Sequence, residues 1–82
     1  MAGIEETMLA MVGGLAPGKS VSPEDVAKAA DPENWRRRLG QVRGIAVGLA
    51  RQKQLVILRH NKPADPETFK GVYRLRLPLA TD

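Results

Sequence analysis

There is no cysteine in this 82-residue chain, and there is a single histidine, His60. The first absence rules out a disulfide framework and a thiolate metal site, and the second rules out a histidine-rich one. No run of about 18 apolar residues occurs, so a membrane-spanning helix has no candidate segment. The opening stretch "MAGIEETMLAMVGG" carries Glu5 and Glu6 where a secretory signal carries positive charge, and its apolar run is short and broken. A soluble, cytoplasmic protein is therefore the expectation. Catalytic groupings are missing as well: there is no paired acid and base and no nucleophile set beside a base. Ser22 and Thr68 stand alone and suit capping and turn positions, and His60, next to Arg59, reads as a solvent-facing residue. Neither an enzyme nor a cofactor is expected.

Acids are also absent from one long stretch. Residues 35–64 hold eight cations (Arg36, Arg37, Arg38, Arg43, Arg51, Lys53, Arg59, Lys62) and no Asp or Glu. Residues 1–34 carry six acids against Lys19 and Lys28, and residues 65–82 balance three against three. The net charge of +4 thus hides a concentrated positive middle, which bears on partners rather than on fold. With 43% hydrophobic residues the chain has the composition of a folded protein, and its length suits a single domain, residues 1–82, with a core over about 4–77.

Periodicity divides the chain into helices followed by strands. Ile4, Met8, Met11 and Val12 recur at helical spacing, and Glu5 and Glu6 sit where the helix dipole favours acids. Gly13 and Gly14 are expected to stop this helix in a left-handed conformation. In "SPEDVAKAA", Ser22 is an N-cap, Pro23 fits the first helical position and Asp25 stands where a capping-box acid would. Asp31-Pro32 repeats the signal before "PENWRRRL", and Gly40 is expected to separate that stretch from the next helix. Val42, Ile45, Ala46 and Leu49 then give "GQVRGIAVGLARQKQ" one apolar face, with Gly40, Gly44 and Gly48 opposite. "LVILRH" reads as a strand, and "VYRLRLPL" as a strand with Tyr73, Leu75 and Leu77 buried and Arg74 and Arg76 wet, ended by Pro78. The intervening "NKPADPETFKG" is too long for a tight hairpin and suits a projecting loop.

One motif has to be weighed. "GGLAPGKS", residues 13–20, matches the phosphate-binding consensus G-x-x-x-x-G-K-[ST] letter for letter. A P-loop follows a buried strand and opens a helix directly at its Gly-Lys-Ser. Here a helix precedes the match, and the next helix starts late, at Ser22-Pro23. No strand ends in an aspartate for magnesium, since "LVILRH" ends in basic residues. The segment reads as a Gly/Pro-rich connector, and nucleotide binding is not expected.

The element order is that of a winged helix-turn-helix: an α+β fold of three main helices followed by a two-stranded wing hairpin, with "SVS" available as a short third strand. The chain also resembles a specific family. "PGKSVSPEDVAKAA", "NWRRRLGQVRGIAVGLA" and "NKPADPETFKGVYRLRL" are similar to the bacterial family called domain of unknown function 3253. Pro23, Val26 and Ala27, Trp35-Arg36, Val42-Arg43, Ala46, Leu49, Lys62-Pro63, Asp65-Pro66, Gly71 and Arg74-Leu75-Arg76 carry the resemblance, over about residues 4–77. Lys53 departs from it, standing where similar sequences tend to have glycine, and so does Gly40, where proline is common. The resemblance implies a winged-helix-like fold and no assigned activity.

Two functions fit. In the first, the domain binds duplex DNA: Gln41, Arg43, Gly44 and Arg51 lie on or beside the recognition face, Arg37 lies near its start, and Lys62 and Lys70 of the wing meet phosphates. Asp65 and Glu67 in the wing count against this, and Arg43 could instead pair with Asp31, Glu33 or Asp65. In the second, the domain docks on a protein partner or a second copy of itself through its charged halves. Trp35 is then the residue to watch, as either a plug between helices or an exposed hot spot.

Overall fold

The clearest punctuation in the sequence becomes the helix-turn-helix. In the computed structural model, which describes residues 3–78, Ser22 Oγ accepts a hydrogen bond from the Asp25 N–H at 3.1 Å. Pro23 takes the first helical position, where its missing N–H costs nothing, and α2 runs Pro23–Ala30. Asp31 ends it: its N–H reaches Ala27 O at 2.8 Å while its Oδ1 accepts from the Asn34 N–H at 3.2 Å. After this turn α3 runs without interruption from Trp35–Arg51.

Gly40 therefore does not break the helix. A Cβ built at Gly40, Gly44 or Gly48 would meet nothing within 4 Å, so all three face open space. Each glycine costs about 1 kcal/mol relative to alanine. On the opposite side Val42, Ala46 and Leu49 are buried, and Trp35, Leu39 and Ile45 pack against the same core. Burying Val42 and Leu49 alone gains about 1.5–3 kcal/mol each. The apolar face wins, and the helix continues through its glycines.

The end of α3 is a Schellman motif. Gln54 N–H bonds Leu49 O and Lys53 N–H bonds Ala50 O, both at 3.0 Å. Lys53 holds the left-handed position at φ 62. Glycine is the usual residue there, which gives the Lys53 departure from similar sequences a physical meaning. The first helix, α1 (Ile4–Gly13), buries Met8 and Val12. Its stop differs from the expected one, because Gly14 has φ −86 and is not left-handed.

The sheet departs from a simple hairpin. β1 (Val56–Arg59) turns at once through His60 and Asn61, at φ 53 and 64, into β2 (Lys62–Pro63). Arg59 pairs with Lys62 across these two residues, as in a type I′ turn. The chain then crosses to the other side of β1 to form β3 (Arg74–Arg76), giving the antiparallel order β2-β1-β3. "SVS" contributes one bridge, with Val21 and Leu75 exchanging hydrogen bonds of 2.8 and 2.9 Å. "NKPADPETFKG" does not project throughout: it buries Phe69, whose ring meets Tyr73 edge-on at 5.0 Å. The alternation read into β3 also fails at its end, where Arg76 is buried and donates to Leu77 O, while Leu77 is 40% exposed.

Residues from every helix and from β1 and β3 meet in one core, with Met8, Val26, Leu49, Leu55, Ile57 and Leu75 among its largest members. Among the described residues no helix is long and apolar enough to cross a membrane. The architecture is α+β and winged-helix-like. Its effect is to turn one side of α3 inward and leave the glycine side outward, beside the β1–β3 connection.

Candidate nucleic-acid interface

On α3, positions 37, 41, 44, 48 and 51 follow one another at four- and three-residue steps, so Arg37, Gln41, Gly44, Gly48 and Arg51 share one stripe. Arg37, Gln41, Gly44 and Arg51 are exposed. The stripe lies opposite Val42, Ala46 and Leu49, which fixes it outward for the same reason that they are inward. Arg37 makes no ion pair among the described residues. Gln41 Oε1 accepts from Arg38 Nη1 at 3.2 Å. At Gly44 and Gly48 the bare helix backbone is the surface.

Arg38, Arg43 and Arg51 of α3 are engaged within the fold. Arg38 Nε lies 3.0 Å from Asp31 Oδ2, tying the helix to the turn before it. That hydrogen bond, followed by the one from the Asn34 N–H, holds the Asp31 carboxyl below its ordinary value. Arg43 lies with its guanidinium carbon 4.2 Å from the Phe69 ring centroid and donates from Nη2 to Phe69 O at 2.9 Å. It pins the wing segment to α3, and none of the acids Asp31, Glu33 or Asp65 is its partner. Arg51 makes a two-pronged contact with Glu67, Nε to Oε1 and Nη2 to Oε2, the latter at 2.7 Å. Glu67 raises the Arg51 pKa further. Arg51 thus stays on the stripe with its charge already matched.

The wing acids have structural work of their own. Asp65 Oδ1 accepts from the Glu67 N–H at 2.9 Å, and Asp65 O accepts from the Thr68 and Phe69 N–H groups, so Asp65 shapes the turn that carries Glu67 to Arg51. Lys62 and Lys70 are exposed. Arg59 donates to Val72 O and crosses beneath Gly71, where φ is +85 and an added Cβ would lie 3.1 Å from Arg59 Nη1. Burial pushes the Tyr73 phenol up, and Arg43 draws it part of the way back.

Trp35, at the start of α3, is half-buried and packed against the core. Its ring is approached by Lys28 Nζ at 4.6 Å and by Arg36 Cζ at 4.5 Å. Sequence reasoning missed this gathering, as it missed Phe69 under Arg43. The available signal was the rarity of aromatics: each of the lone Trp and lone Phe has become a platform for arginine.

The "GGLAPGKS" segment follows α1 and precedes the Val21 bridge. Lys19 N–H bonds Ala16 O at 3.0 Å, with Pro17 and Gly18 (φ 81) at the centre of a type II turn. Ser20 accepts from Arg74 through both Oγ and its carbonyl, at 2.6 and 3.0 Å. No strand leads into this segment, and α2 begins only at Pro23.

The family model described as protein of unknown function (DUF3253) matches residues 1–78, and the chain belongs to that family. No curated protein matches it.

Proposed function

We propose that this DUF3253 protein is a non-enzymatic module that binds duplex DNA, laying the outward stripe of α3 in the major groove. One observation carries the reading: the first half of the stripe is exposed, and Gly44 and Gly48 leave its helix backbone bare. Alanine at Gly40, Gly44 and Gly48 would meet nothing within 4 Å and would favour the helix by about 1 kcal/mol at each position. A surface that forgoes this gain is suited to the close approach of another backbone. Arg37 and Gln41 lie in the N-terminal half of α3, the part of a recognition helix that reaches base edges. Arginine there suits guanine and glutamine suits adenine. Lys62 and Lys70 extend the contact to flanking phosphates, and nucleotide binding forms no part of the proposal.

Docking on a protein partner or a second copy is the alternative. It is less well supported, because Trp35 and Val47 are half-buried and the exposed large hydrophobics among the described residues are Val72 and Leu77. Fluorescence anisotropy with a random-sequence duplex between about 50 and 200 mM salt tests the reading: log affinity should fall with log salt at a slope of about −3 to −6. Arg37→Ala should make that slope shallower by about 0.9. Absence of binding at the lowest salt would end the DNA reading and leave the docking one.

A further inference from the structure

Lys28 and Arg36 come from different helices and converge on one indole ring. Each lies within 4.6 Å of the Trp35 centroid, so their charges are no more than about 9 Å apart, both in cation–π contact. Neither makes an ion pair among the described residues. The acids of the intervening turn do not supply one. Asp31 is held by Arg38 and the Asn34 N–H, and Glu33 makes no ion pair. Trp35 itself is seated against the core, so the platform is fixed before any ligand arrives. Arg36 follows Trp35 on α3, about 100° around the helix from Arg37 and the outward stripe, and Lys28 stands on α2.

We infer that Lys28 and Arg36, mounted on Trp35, clamp one backbone phosphate of duplex DNA beside the groove that α3 enters. The inference rests on the DNA-binding reading. A phosphate bonded through two oxygens at about 2.8 Å each reaches across up to about 8 Å, so the clamp closes where the two cations stand within that distance on one side of the ring. Two pre-positioned cations lose less freedom on binding than two free side chains. Lys28 brings α2 into the interface, so the contact sets the angle at which α3 lies as well as adding affinity.

Trp35 is the sole tryptophan, and its emission reports directly on the clamp. Saturating the protein with a 20-base-pair duplex, a length of about two helical turns, should change that emission. The double variant Lys28→Gln/Arg36→Gln should make the salt slope shallower by about 0.9, the contribution of one phosphate, and each single variant should weaken binding roughly threefold to tenfold at about 50 mM salt. Both side chains are exposed, so each variant should lose only one exposed cation–π contact and lower the melting temperature by a few degrees at most. Inorganic phosphate at matched ionic strength should leave the emission unchanged, and an equal change with phosphate alone would overturn a clamp for duplex DNA. If the duplex binds but the double variant keeps the wild-type slope, the clamp is wrong and the DNA reading stands. If the wild-type protein does not bind at all, both fall together.

Discussion

The two halves of α3 are both rich in arginine and use it in opposite ways. In the first half, Arg36 and Arg37 have no acidic partner, and Arg38 alone is paired, with Asp31. In the second half, Arg43 is stacked on Phe69 and bonded to its carbonyl, and Arg51 is matched by Glu67. The difference does not follow from residue type. Nor does it follow from helical face, since Arg37 and Arg51 share one stripe. It follows from what the rest of the chain lays alongside: the segment between β2 and β3 folds over the second half and stops short of the first. A cluster of cations in a sequence is therefore two populations, one fastening the fold and one facing outward.

The largest effect should come from undoing the fastening. Arg43→Ala removes a charged hydrogen bond to a main-chain carbonyl and a ring contact, and should lower stability by about 2 kcal/mol in urea unfolding. An unchanged midpoint would mean that the second half of α3 is as free as the first. A smaller effect of opposite sign is expected next to it. Lys53→Gly relieves a left-handed lysine at φ 62 and should raise stability by about 1 kcal/mol. DNA binding should be reduced at most by the loss of one cation. The smallest effect belongs to the single fastened arginine of the first half. Because Arg38 depresses the Asp31 pKa in the folded state, that interaction is fully present above the ordinary aspartate range and is lost as pH falls through the folded value. Arg38→Gln should move the Asp31 midpoint upward in an NMR titration, and a fixed midpoint would show the pair to be unimportant even there.

How far the sequence disclosed all this depended on distance along the chain. Ser22-Pro23-Asp25 acts within one turn, so α2 and the helix-turn-helix were legible from a few letters. Gly40 was misread as a break because its local preference was weighed without the burial of the far side of the helix. In the wing, the two expected strands do pair antiparallel, but the path between them was not legible. Its tight turn uses His60-Asn61, a pair without the glycine that usually marks a type I′ turn, with Asn61 as the hint. Its return path depends on Phe69 reaching the core and on Arg43, 26 residues away, closing over it. The charge-rich face of α3 could be read as a face. Which of its arginines remain unengaged could not, because Glu67 and Phe69 reach them only through tertiary structure.

The bridge between Val21 and Leu75 has a kinetic consequence. It joins segments 54 residues apart, reinforced by Arg74 on Ser20 across the same span, whereas α2 and α3 meet across a turn of a few residues. Contacts that close long loops are rewarded late, after the local ones have formed. The helix pair is thus poised to assemble first, and the Val21–Leu75 seam to close last. Weakening that seam, as with Val21→Ala, should then act mainly by speeding unfolding, leaving the refolding rate nearly untouched.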